Sequence, residues 1–223
     1  MKQLITALLI LVLPFMVNAQ VSKNSLKGKI GISLYGGGNI PTGGDYSATI
    51  NTTDILNTGS QFGLGVSYFF TKGFAIEGTL YGGYNYYKDK YKPAGKDPLW
   101  LTLSASLNAV YNFGHMFRKA VIQPVVRIGA GVYQFEHIED GLFHATVTTD
   151  NNNHDVKSFG INAGFGAEYK LSKKMTIGLM LDYNIFYPKY ESESGSVTSA
   201  ERTSHSFFTP QLKLTYYIPT GKK

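Results

Sequence analysis

The sequence predicts an all-β fold: an eight-stranded antiparallel up-and-down transmembrane β-barrel, preceded by a cleavable signal peptide. Three observations predict it. The first is a period of two. Phe159, Ile161, Ala163, Phe165, Ala167, Tyr169 and Leu171 alternate with Gly160, Asn162, Gly164, Gly166, Glu168 and Lys170. After Ser172-Lys173-Lys174 the alternation resumes with Met175, Ile177, Leu179, Leu181, Tyr183, Ile185 and Tyr187. Successive side chains of a strand point to opposite faces, whereas a helix would scatter these residues around its circumference. The second observation is the chemistry of the other face. A water-soluble sheet or barrel would carry Lys and Glu there, but Thr176, Gly178, Asp182 and Asn184 are small or polar with an occasional charge. Such a barrel is turned inside out, apolar toward lipid and polar in its lumen. The third is that connections alternate long and short, as short periplasmic turns and longer external loops do.

Residues 1–19 read as a secretory signal. Lys2 supplies the positive start, residues 5–17 an apolar run broken by Pro14, and Val17-Asn18-Ala19 a small-residue cleavage site, so the barrel domain is expected over 20–223. The apolar run is short for a spanning helix, which needs about 20 residues. No later run is long enough either, so a membrane protein of this sequence must be a closed barrel, because lipid offers no partner to a free strand edge. The chain has no cysteine, which removes disulfides, thiol catalysis and cysteine metal sites. Its formal charge of +6 is not clustered, so nucleic acid is not an expected partner.

The strands are expected in order at 29–37, 61–70, 74–86, 100–113, 121–135, 158–171, 175–187 and 205–218. Each is long enough for a tilted transmembrane strand of about 9–11 residues. Outward positions are Ile30, Ile32 and Leu34; Phe62, Leu64, Val66, Tyr68 and Phe70; Ile76, Leu80, Tyr84 and Tyr86; Leu101, Leu103, Leu107 and Tyr111; Ile122, Val126, Ile128 and Val132; Phe208, Leu212, Leu214, Tyr216 and Ile218. Pro124 and Pro210 fall on outward positions. Proline cannot donate to a ladder, so each should mark a bulge or a missing hydrogen bond. The connections 40–60, 87–99, 136–156 and 188–204 are long, while 71–73, 114–120 and 172–174 are shorter. Both ends of the barrel are therefore expected in the periplasm, with four loops outside.

Aromatic residues fall where two membrane interfaces should be. Tyr84, Tyr86, Trp100, Tyr183 and Tyr187 lie near the outer rim, with Tyr133 there too but pointing inward. Tyr68, Phe70, Phe74, Tyr111, Phe113, Tyr169 and Tyr216 lie near the periplasmic rim. Rings with one wet edge favour the headgroup level.

With strands, girdles and loops placed, the chain resembles the small outer-membrane β-barrel family, which includes OmpX, OmpW and the membrane domain of OmpA. The resemblance covers nearly all of 20–223. It rests on patterns such as Gly164-Phe165-Gly166-Ala167-Glu168-Tyr169 and Leu212-Lys213-Leu214-Thr215-Tyr216-Tyr217 rather than on catalytic motifs. It implies location in the outer membrane, contact with outer-membrane lipid and lipopolysaccharide, and insertion by the outer-membrane assembly machinery. Such barrels commonly end in an aromatic residue; here the chain runs past Tyr217 to Lys223. A peptidoglycan-binding domain is not expected.

The inward face carries Lys29, Glu77, Arg127, Glu168, Asp182 and Lys213, three of each sign. Counting along the strands predicts that Arg127 pairs with Asp182 or Glu168, and Glu77 with Lys29 or Lys213. Unpaired charges in a narrow lumen would be costly. An eight-stranded barrel is only wide enough for side chains to fill it, so a filled core is favoured over a gated pore.

The loops carry weaker signals. Glu136, His137, Glu139, Asp140, His144, Asp150, His154 and Asp155 are metal-type ligands, but their spacing matches no compact site, and no metal or other cofactor is expected. Some small barrels modify lipid A through His and Ser. His205 with Ser204 or Ser206 is the nearest candidate, with Glu201 close, but nothing in the sequence fixes the geometry that a nucleophile, its base and an orienting third group need. Lys88, Lys90, Lys92 and Lys96 around Tyr91 could face phosphates at the cell surface. The expected role is thus non-enzymatic: structure or surface interaction through four external loops. A narrow channel for ions or small solutes is the alternative, and a lipid A-modifying enzyme the third reading.

Overall fold

The computed structural model describes residues 25–47, 50–117, 121–138, 156–187 and 204–220. The expected signal peptide at 1–19 lies outside them. Eight long strands close a barrel: β1 Lys29–Gly43, β4 Gly59–Phe69, β5 Phe74–Tyr86, β6 Leu99–Asn112, β7 Ile122–Ile138, β8 Val156–Lys170, β9 Met175–Tyr187 and β10 His205–Pro219. Their spatial order is β1-β10-β9-β8-β7-β6-β5-β4, every pair antiparallel, and β1 meets both β4 and β10. A small ribbon, β2 Asp45–Ser47 with β3 Ile50–Asn51, and a single helical turn, α1 Thr52–Ile55, lie between β1 and β4.

The inversion of faces holds on every wall. Leu107 is 62% exposed, and Leu103, Leu179, Leu212 and Ile128 also face outward. The buried set includes Ser33, Glu77, Thr79, Asn108, Asn162, Glu168, Asp182 and Gln211. Apolar surface is stable outside only where the surroundings are hydrocarbon.

Observed strand ends differ from the expected ones by up to several residues, most at the outer rim, where β1 runs to Gly43 and β7 to Ile138. The two prolines behave differently from a bulge. Pro124 opposes Ala167 and Pro210 opposes Leu181 with no change of register. Beside Pro210, the ladder to β1 skips from Gly37↔Gln211 to Ile40↔Phe208 while keeping its register. The irregularity of that ladder sits further out, between Pro41 and Gly43. Phe113 is not a strand residue; it opens a 3₁₀ turn, Phe113–His115, after Asn112 accepts a hydrogen bond from the Gly114 amide.

Candidate functional site

The lumen is filled in layers. At the end of the barrel that carries the short turns, Leu26, Phe69, Ala75, Val110, Val125, Met180 and Tyr217 form an apolar plug. Above it lies a layer of charge. Arg127 on β7 and Asp182 on β9 are two strands apart, and the residue between them in the row is Gly164, which opposes both. With no side chain there, the guanidinium reaches across: Nε donates to Asp182 Oδ1 at 2.6 Å and Nη2 to Oδ2 at 2.6 Å. Nη2 also donates to the Tyr81 hydroxyl at 3.0 Å, and the guanidinium lies 5.3 Å from the Tyr35 ring centre. Gln211 Nε2 donates to Asp182 as well.

The same device recurs one layer down. Glu168 on β8 and Lys213 on β10 both oppose Gly178 on β9. Lys213 Nζ stands 3.1 Å from Glu168 Oε1 and 3.5 Å from Glu77 Oε2. Tyr35 donates its hydroxyl proton to Glu77, and Tyr217 donates to Glu168 Oε2 at 3.1 Å. Two-pronged, charge-assisted hydrogen bonds of the Arg127 type are the stronger kind.

Lys29 is a correction. It was expected as one possible partner of Glu77 and as part of the inward charge set, but it joins no ion pair among the described residues. It is the first residue of β1, half-buried at the rim that carries the short turns, with its ammonium 5.9 Å from the Tyr217 ring centre. Water is within reach there, and burial alone would cost it solvation. The buried cluster therefore contains two cations, Arg127 and Lys213, against three carboxylates, Glu77, Glu168 and Asp182.

Trp100 is the second correction. It was expected at the outer interface; instead it is 6% exposed, inside the barrel. Its neighbour Leu101 takes the outward position, so parity sends Trp100 inward, where its ring lies 5.6 Å from Phe135 and 5.9 Å from His205. The remaining girdle residues face outward. Tyr68, Phe70, Phe74, Tyr169 and Tyr216 do so near the short turns, with Tyr111 and Phe113 half-exposed beside them. Tyr183 and Tyr187 are exposed toward the outer end, with Tyr84 and Tyr86 half-exposed.

Trp100 belongs to an outer plug that sequence reasoning missed. Ile55, Leu56, Tyr87, Trp100, Tyr133, Phe135, Phe186 and Phe207 pack together at the mouth. Phe186 stacks on Phe135 at 4.4 Å and on Tyr133 at 5.0 Å. The signal was present: inward positions near the outer strand ends turn aromatic after runs of Gly, Ser and Asn. Ile55 and Leu56 arrive from α1, which is tied down by the Lys88 amide donating to Ile55 O at 2.7 Å and the Asn57 amide to Tyr86 O at 2.8 Å. Lys88 Nζ donates to Thr53 O at 2.8 Å. Between outer plug and charge layer a cavity of about 20 Å³ remains, lined in part by Asn108, Arg127 and Asn162. It is wide enough for a single water.

His205 is fully buried against this plug. Thr52 Oγ1 donates to Gly44 O at 2.9 Å and is hydrogen-bonded to His205 Nδ1 at 2.8 Å. Ser206 takes the opposite face of β10, with Oγ 3.0 Å from Thr42 Oγ1. His205 and Ser206 are thus not brought together. Glu201 lies outside the described residues, as do Glu139, Asp140, His144, Asp150, His154 and Asp155 of the third loop. In the second loop Lys92 is bridged to Asp97 at 2.8 Å and Asp89 at 3.1 Å. These hydrogen bonds, to Asp97 foremost, hold its ammonium above the ordinary lysine range.

A family model described as an outer membrane protein beta-barrel domain matches residues 5–207. No curated protein matches the sequence. Among solved structures, the chain is similar to outer membrane protein AlkL, determined in lipid bilayers, at 15% identity, covering 92% of this chain and 97% of that one with a TM-score of 0.54. It is similar to OprG from Pseudomonas aeruginosa at 14% identity, covering 90% and 99% with a TM-score of 0.51. Neisserial surface protein A follows at 12% identity, 84% and 97% coverage and a TM-score of 0.48. At these identities the likeness is one of fold.

Proposed function

The chain belongs to the outer membrane protein β-barrel domain family, and we propose that this member neither conducts nor catalyses but serves as a structural and surface-interaction protein. It is an integral protein of the outer membrane. One observation carries the reading: the lumen is closed three times over, by the inner apolar plug, the buried ion pairs and the outer aromatic plug. What the protein offers to its surroundings is then its lipid-facing wall and its external loops. The first two loops support a contact role because they are stitched into one cap, through α1, the Leu56↔Tyr87 bridge and the Lys88 hydrogen bonds. A preorganised cap meets a partner with little ordering cost. Exposed Lys90 on it suits an acidic surface partner, while Lys92 is held within the cap by Asp89 and Asp97. The channel reading would need both plugs displaced. The lipid A-modifying reading gains no support from its nearest candidate, since buried His205 projects to the face of β10 opposite that of Ser206.

Planar-bilayer recording tests the proposal. Folded wild-type protein and Arg127→Ala are both expected to leave the bilayer silent. Sustained stepwise conductance from the wild type would overturn the closed-lumen reading in favour of a channel.

A further inference from the structure

The outward wall of the barrel is not evenly convex. A groove of about 510 Å³ lies across β5, β6 and β7 and reaches β8; Leu80, Leu103, Ala105 and Val132 bound it, the inward-facing Tyr81, Ser104 and Tyr133 border its floor, and Gln134 and Lys157 stand at its outer end. Register explains it. One row across the wall reads Leu80–Ala105–Val132–Phe159, and the next row outward reads Gly82–Leu103–Gln134–Lys157. Ala105 sits between two branched side chains, and Gly82 beside Leu103, so small residues make the floor and branched ones the walls. The ladders beneath, from Phe74↔Tyr111 to Tyr86↔Leu99 and from Asn112↔Val125 to Leu99↔Ile138, are unbroken. The feature is a depression in the surface, not a slit into the lumen. Its volume lies in the usual range for a ligand site, about 300–1,000 Å³.

Hydrocarbon would fill such a groove on any barrel. Lys157 adds something hydrocarbon does not need. It is exposed, stands one outward position beyond Phe159, where the apolar band of β8 begins, and makes no ion pair with a described residue. Gln134 is its cross-strand neighbour. Glu136 follows further out on the same face of β7. A cation and an amide at headgroup height over an apolar groove match a lipid whose head is an anionic phosphate. A basic residue at the membrane surface attracts an anionic headgroup, and the groove adds specificity of shape.

We propose that this groove seats one lipid of the outer leaflet, a phosphorylated glycolipid of the lipopolysaccharide class, with an acyl chain along Leu80, Ala105 and Val132 and its phosphate on Lys157. The wall here is an ordered binding site and not a generic lipid annulus. The experiment is native mass spectrometry of the folded barrel released from nanodiscs containing lipid A, dephosphorylated lipid A or phosphatidylethanolamine. Retention of one lipid A molecule is expected, with weaker retention of the other two. Lys157→Gln should lower retention of lipid A about two- to fivefold, the size of an exposed charge contact. Ala105→Phe, which fills the floor, should abolish it, while Leu212→Phe on the far wall, a position 60% exposed, should leave it intact. Lys157→Gln changes an exposed residue and cannot fail by misfolding, so it decides the phosphate contact alone. Equal retention of dephosphorylated lipid A, a preference for phosphatidylethanolamine, an unaltered Lys157→Gln protein, or no retained lipid would each overturn the assignment.

Discussion

At the residue scale, the lumen depends on glycines placed between charges. Gly164 is required where it stands because a Cβ there would collide with Asp182 Oδ1. Gly164→Val is expected to destabilise the barrel by about 1–3 kcal/mol, the usual range for overpacking. Gly78→Val, at a position with open space around it, should change stability by no more than about 0.5 kcal/mol. Urea unfolding in detergent micelles, followed by the heat-dependent gel shift of folded barrels, measures both. Arg127→Ala leaves Asp182 buried without its fork and should cost about 3–5 kcal/mol. The double variant Arg127→Met with Asp182→Leu should cost clearly less than the sum of its singles. A strictly additive double variant would mean the pair contributes nothing through its mutual contact.

At the element scale, strand parity decides which membrane interface a residue can serve. Trp100 is the protein's one tryptophan, so its fluorescence reports on β6 alone. Its inward position between Phe135 and His205 predicts weak quenching by brominated acyl chains in the bilayer, at every bromine depth. Strong quenching by bromines near the headgroups would put it back in the girdle. The turn α1 shows the complementary point. Four residues cannot be a stable helix alone; Thr52–Ile55 persists because Ile55 is buried in the outer plug and Thr52 is hydrogen-bonded to Gly44 and His205. Its sequence carries almost no helical signal.

At the scale of the whole molecule, closure is redundant. Phe186→Ala removes the ring that stacks on Tyr133, Phe135 and Phe207, and should cost about 3–5 kcal/mol. It should not open a conductive path, because Arg127, Asp182, Lys213, Glu77 and Glu168 still fill the barrel below. Combining it with Arg127→Ala still leaves the inner plug around Phe69, Val125 and Met180. Planar-bilayer recording of both variants is expected to stay silent. Conductance appearing with Phe186→Ala alone would locate the barrier in the outer plug rather than in the charge layer.

The amino-acid sequence by itself determined the barrel, its eight strands, their faces and the alternation of long and short connections between them. It could do so because lipid imposes one rule on every rung: apolar side chains out, at period two, for about nine or more residues. It also placed Arg127 level with Asp182, since height along a strand can be counted. Only the tertiary structure decided which inward charges meet, because that depends on side-chain reach across Gly164 and Gly178 and leaves Lys29 at the wet rim. It alone assembled the outer plug, where Ile55 and Leu56 join Trp100, Phe186 and Phe207 from strands distant in the chain. Periodicity is a local property that a sequence displays along its length; packing across a lumen is set by closure, and no stretch of sequence holds it alone.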